Sequence, residues 1–164
     1  MSLKNYLIQE FDTEMANTRK TLERVPAAKW DWKPHAKSGT AGWLAGHIAT
    51  LPGFGTAIIR KSSLDLAASN FPRVETHAML IDTFDRASED ARQALAGLDE
   101  KHLDDNWSLT NNGKPIFTIP RYHALRSVCL NHIVHHRAQL TVYLRQLDVP
   151  VPGLYGPSAD ETVF

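Results

Sequence analysis

The sequence has a single cysteine, Cys129, among 164 residues, so no disulfide can form within the chain. It has no excess of either charge, since Lys plus Arg and Asp plus Glu number 18 each. Without a net basic field it has nothing to hold nucleic acid or an anionic membrane surface. It has no run of about 18 apolar residues, so no membrane span is expected. Its first residues, MSLKNYLIQEFDTEM, lack the apolar core of a secretion signal, and a cytoplasmic location is the expectation. Internal repeats and low-complexity tracts are missing too. What remains is 43% hydrophobic and 22% charged, an ordinary globular balance that argues against wholesale disorder. A chain of this length is expected to form one domain, residues 1–164, around one core.

Apolar residues recur at helical spacing in four stretches. The first runs from about Leu3 to Val25, with Leu3, Leu7, Phe11, Met15 and Leu22 on its stripe. The second runs from about Thr40 to Lys61, with Trp43, His47, Leu51, Phe54 and Ile58. The third runs from about Glu75 to Leu98, with Leu80, Phe84, Ala87, Ala91, Leu95 and Leu98. The fourth runs from about Arg121 to Leu147, with Leu125, Val128, His132, His136, Leu140, Tyr143 and Leu147, and Pro120 stands at its start, where a helix tolerates proline. Four amphipathic helices must bury their stripes on one another, which predicts an all-α four-helix bundle. The connections, about 14, 13 and 22 residues long, are long enough for crossovers. The last one carries the elements of a small hairpin: Trp107, Leu109, Ile116 and Thr118 alternate around Asn112-Gly113, a favoured tight-turn pair. Pro115 would hold any strand there to an edge. Pro52 interrupts the second helix five residues after His47, so this helix kinks near His47, breaks into two pieces, or simply ends.

The stretch LNHIVHHRAQL, residues 130–140, places His132 and His136 at i and i+4, one above the other on a helix face. Two imidazoles so placed can converge on one ion at about 2.1 Å from each nitrogen. The HExxH zinc motif uses that spacing, although Ile133 stands here where that motif has its glutamate. A third ligand must come from another helix, and His47 on the apolar stripe of the second helix qualifies. The same histidines also fit a reading as hydrogen-bonded core residues, and spacing alone leaves both readings open. His135 lies about 100° round the helix from His136 and should be exposed or support a ligand from behind. His35, His77 and His102 lie in polar settings and should be surface residues. His123 is about 13.5 Å of helix rise from His132, too far to share an ion. Cys129 is about 7.5 Å along the axis from an ion centred between His132 and His136, and reads as a buried inert thiol. Glu10 and Glu14 on the first helix are expected to face solvent. An ExxH pair of the di-iron kind is missing.

These residues carry a resemblance. NHIVHHRAQLTVYLRQLDVPVPGLYGPSADE, residues 131–161, resembles the C-terminal end of DinB superfamily proteins. GWLAGHIAT, residues 42–50, is similar to that family's second-helix motif, and KPIFTIPRYHALR to its approach to the last helix. The resemblance covers nearly the whole chain. It implies a four-helix bundle of up-down-down-up order and a divalent metal held by His47, His132 and His136. It also implies use of a low-molecular-weight thiol, transferred to an electrophile, and pairing of two chains as a homodimer. Tyr6, Ile8, Met79 and Ile81 lie off the main stripes and could face such a partner. Zinc, nickel and iron all accept imidazole, and spacing does not choose among them. Hydrolysis by a metal-bound hydroxide is an alternative reaction for an open three-histidine site. A non-catalytic stress protein holding a small apolar ligand among Trp43, Phe54 and Tyr143 is an alternative from another class. The tail after the last helix, residues 149–164, is too rich in proline to continue it, and Leu154 and Tyr155 suggest that it packs back on the bundle or on a second subunit.

Overall fold

A computed structural model describes residues 2–162. Helix α1 spans Leu3–Leu22 and starts where the Ser2 hydroxyl accepts from the Asn5 amide at 3.3 Å, one of the donors a helix start leaves orphaned. Helix α2 spans Ala41–Thr50, capped by Thr40. Helix α3, Pro52–Arg60, follows after a single residue, with Pro52 in its first turn. The second predicted helix is therefore broken in two. The chain stays in helical conformation through Leu51, because proline removes one hydrogen bond yet is well placed to begin a helix.

Helix α4 is Leu80–Gly97, five residues shorter at its start than the periodicity suggests, since a 3-10 turn over His77–Met79 leads into it. The last helix is continuous but not uniform. It comprises α5, Arg121–Ala124, a π-helical stretch over Leu125–Leu130, and α6, Asn131–Gln146. Helix α1 packs on α4 and α6, and α2 packs on the same two. Consecutive first and second helices are thus not the principal neighbours, in keeping with their long connection.

The all-α expectation needs correction, because a three-stranded sheet of order β1-β2-β3 accompanies the helices. The predicted hairpin is there: β2, Asn106–Asn111, pairs antiparallel with β3, Lys114–Pro120. Asn112 and Gly113 both have positive φ, as the tight turn requires. Pro115 lies in β3, an edge strand, and Ile116 is the extra residue where the register slips. Strand β1, Ser63–Asp65, runs parallel to β2. Three residues carry no period-2 signal, and a side chain fixes them. The Asp65 carboxylate accepts from the amides of Asn112 and Gly113 at 3.1 and 2.6 Å, tying the strand to the hairpin turn.

The core joins Leu7, Phe11, Leu22, Ile48, Ile58, Phe84, Trp107, Ile133, Leu140 and Leu144. Two predicted stripes are displaced. On α2 the buried face is Leu44, Ala45, Ile48 and Ala49, while Trp43 is 58% exposed. On the last helix the buried positions are Arg121, Ala124, Leu125, Cys129, Leu130, Ile133, Arg137, Leu140 and Leu144. The histidines sit one position round from that face. The cause is the π turn, whose wider repeat absorbs an extra residue and re-phases the helix beyond it. Ile8 and Ile81 pack against the chain's own core, whereas Tyr6 and Met79 are exposed. No described helix is long and apolar enough to cross a membrane.

Candidate metal centre

His47 lies in the last turn of α2 and His132 and His136 in the first two turns of α6. The two helices pack together, and the three half-buried rings meet at their junction. The Nε2 atoms of His47 and His132 are 3.3 Å apart. Two nitrogens on one tetrahedral ion stand about 3.4 Å apart. Ring nitrogens from all three residues lie within 4.8 Å of one another. The donor set therefore fits a divalent ion of the zinc, nickel or iron kind with small side-chain movements.

Partners on the far side of two rings select the tautomer. His132 Nδ1 faces the Val128 carbonyl at 3.3 Å, and His136 Nδ1 faces the Gln139 side-chain oxygen at 2.7 Å. Each Nδ1–H donates to its oxygen, leaving Nε2 with a bare lone pair for the cluster. Burial pushes the His47 pKa down to about 4, assisted by the neighbouring His136 and His132. His132 is lowered for the same reasons, burial first and then His136, against a smaller opposing effect of the Val128 carbonyl. Neutral imidazoles are the form that binds metal, so at neutral pH these rings are already in the ligating state. Among the described residues no carboxylate joins the cluster. A bound divalent ion would keep its full charge.

Two clefts reach this point. One, of about 520 Å³, lies between α2 and the segment before α4, lined by Trp43, Gly46, His47, Thr50, Arg73 and Glu75 among others. Trp43 stacks on His47 with centroids 5.4 Å apart and planes 9° from parallel, so the residue read as core is a wall of the site. The other cleft, of about 490 Å³, is almost wholly apolar and runs between the hairpin and the last helix, where Leu109, Phe117, Ile119 and Val128 lead to His132.

The structure brings His47, His132 and His136 together as the spacing anticipates. His135 is exposed, and so are His35, His102 and His123. His77 departs from expectation: it is half-buried, 2.8 Å from the Val25 carbonyl. Cys129 is buried, and burial pushes its thiol up to about 12, which makes it inert. Glu10 pairs with Arg126. Glu14 reverses its expected place. It is buried and holds Arg137, 1% exposed, at 2.7 Å. Arg137 also donates to the Glu14 carbonyl and to the Thr18 hydroxyl, and to the Tyr155 hydroxyl, which in turn donates to Glu14 at 2.6 Å. Sequence reasoning passed over Arg137. Its signal was there, since i+4 from Ile133 and i−3 from Leu140 is a core position.

A helical bundle with a small sheet at its side, presenting a cluster of three imidazoles that could hold a metal ion, defines the class. The chain belongs to the DinB family, whose profile matches residues 1–162. Among curated proteins it is similar to YrdA of Bacillus subtilis (strain 168), itself uncharacterized, with 25% identity over 162 residues covering 96% of this chain and 90% of the relative. Among solved structures it resembles the DinB-like protein YjoA of Bacillus subtilis, with a TM-score of 0.73 at 22% identity over 90% of this chain and 96% of that one. A DinB-like protein of Bacillus cereus ATCC 10987 gives a TM-score of 0.71 at 23% identity over 91% of this chain and 95% of that one. At such identities the structural likeness concerns the fold.

Proposed function

We propose that the chain is a metal-dependent enzyme in which His47, His132 and His136 hold one divalent ion and activate a low-molecular-weight thiol for transfer to an electrophile. The observation that carries this reading is the convergence of three imidazoles from two helices, with ring nitrogens within 4.8 Å and, among the described residues, no carboxylate joining them. When bound, the ion supplies Lewis acidity, lowering the pKa of a thiol or water at its open position. The chain's residues do the rest. Gln139 and the Val128 carbonyl hold the rings of His136 and His132 in the ligating tautomer, and Trp43 fixes the plane of His47. The choice of thiol over water rests on the resemblance of the sequence to DinB proteins, and hydrolysis by a metal-bound hydroxide is the second reading of the same open site.

The same reading takes the helices in up-down-down-up order and the working species as a homodimer, with exposed Tyr6 and Met79 at the contact. Light scattering at micromolar concentration tests the dimer: a mass near 18.4 kDa contradicts it, and about twice that supports it.

Cobalt(II) in place of the native ion reports thiol binding directly. Adding a small thiol to the cobalt-loaded protein should produce a near-ultraviolet thiolate-to-cobalt charge-transfer band. If cobalt binds and no thiol produces the band, thiol activation is wrong, and hydrolysis or non-catalytic binding takes its place.

A further inference from the structure

The cleft beside His47 holds two charges that no other described residue neutralises. Among the described residues every arginine except Arg60 and Arg73 holds a carboxylate. Arg73 and Glu75 line the same cleft, are exposed, and pair neither with each other nor with any other described residue. They are held beside His47 by packing. Val74 between them lies against Gly46, the residue before His47, and a Cβ on Gly46 would meet the Val74 Cβ at 3.0 Å. Glycine at 46 is therefore what lets this segment sit on α2 and bring both charges to the site. At about 520 Å³ the cleft has the size of a small-molecule site.

We propose that this cleft binds the polar body of the thiol cosubstrate, and that the molecule is dipolar, with a carboxylate for Arg73 and an ammonium group for Glu75. The inference rests on the thiol reading above and adds the chemical class of the thiol. Charge complementarity carries it. The thiol sulfur reaches the three-histidine cluster past His47. The guanidinium offers a planar fork that matches a carboxylate. The Glu75 carboxylate, two residues further along, meets the ammonium group, and the exposed Trp43 face beside it favours a cation as well. Neutral thiols leave both charges unanswered.

The test uses cobalt-loaded full-length protein and three probes, with affinity read from the charge-transfer band. The probes are γ-glutamylcysteine, which carries carboxylates and an ammonium group, 3-mercaptopropionate, which carries a carboxylate alone, and 2-mercaptoethanol, which is neutral. Arg73→Ala should weaken the first two by about fivefold or more, as expected for losing a charge-assisted contact, and leave 2-mercaptoethanol unchanged. Glu75→Gln should weaken γ-glutamylcysteine and leave 3-mercaptopropionate as tight or tighter. Both side chains are exposed and unpaired, so both variants should fold as the parent does. Bands of equal affinity for all three thiols in parent and variants would overturn the dipolar assignment while the thiol reading stands. A cobalt-loaded protein that gives no band with any thiol overturns both.

Discussion

His47 and His132 have pKa values held below the ordinary imidazole range by burial first and then by the neighbouring His136, and this makes the metal-free protein acid-sensitive in a defined window. A depressed folded-state value means that the unfolded chain binds more protons between about 6.5 and the folded value. Stability is therefore intact at pH 7, falls as pH drops through about 6.5 toward the His47 value of about 4, and gains no further loss from that residue below it. Allowing for solvent at a half-buried site, His47 should contribute on the order of 1–2 kcal/mol of that fall, a few degrees of melting temperature. Melting curves of metal-free parent and His47→Gln between pH 7 and 4 check this, and equal slopes would contradict it. Arg137 and Glu14 make the complementary case, a buried pair that must stay whole. Arg137→Met strands a buried carboxylate and should cost about 3–5 kcal/mol in urea unfolding, and adding Glu14→Gln should recover a good part. An Arg137→Met protein as stable as the parent would show that the pair contributes nothing.

Among elements, the last helix and the tail explain where reading by periodicity goes astray. A strict 3.6 repeat carried from Leu125 puts His132 and His136 in the core, because nothing in the residue types of Leu125–Leu130 announces a π turn. With that turn included, Ile133, Arg137, Leu140 and Leu144 take the core and the histidines turn toward α2. The tail packs back as its apolar residues suggest. Pro152 and Gly153 are buried, Asp160 holds Arg145 at 2.5 Å, Glu161 holds Arg24, and Tyr155 closes over the Arg137–Glu14 pair. Val163 and Phe164 lie outside the described residues. Ending the chain before Pro150 should remove these ties and lower the melting temperature by several degrees, about 2–4 °C for each kcal/mol lost. An unchanged melt would mean that the tail adds nothing to the fold.

At the scale of the whole molecule, the four-helix plan, the hairpin at Asn112-Gly113 and the pair His132 and His136 were legible in the chain because each rests on local chemistry: amphipathic spacing, a turn that needs positive φ, histidines at i and i+4. Strand β1, the Glu14–Arg137–Tyr155 network and the Arg73–Glu75 cleft were not. Each is made by residues far apart in sequence whose types are ordinary for a surface. The central claim is that His47, His132 and His136 form one metal site, and its most direct test is the metal content of untagged protein. Elemental analysis should find about one divalent ion per chain in the parent and in His135→Ala after loading and desalting, and most of it lost in His132→Ala and in His136→Ala. Equal metal in the parent and all three variants would contradict the assignment.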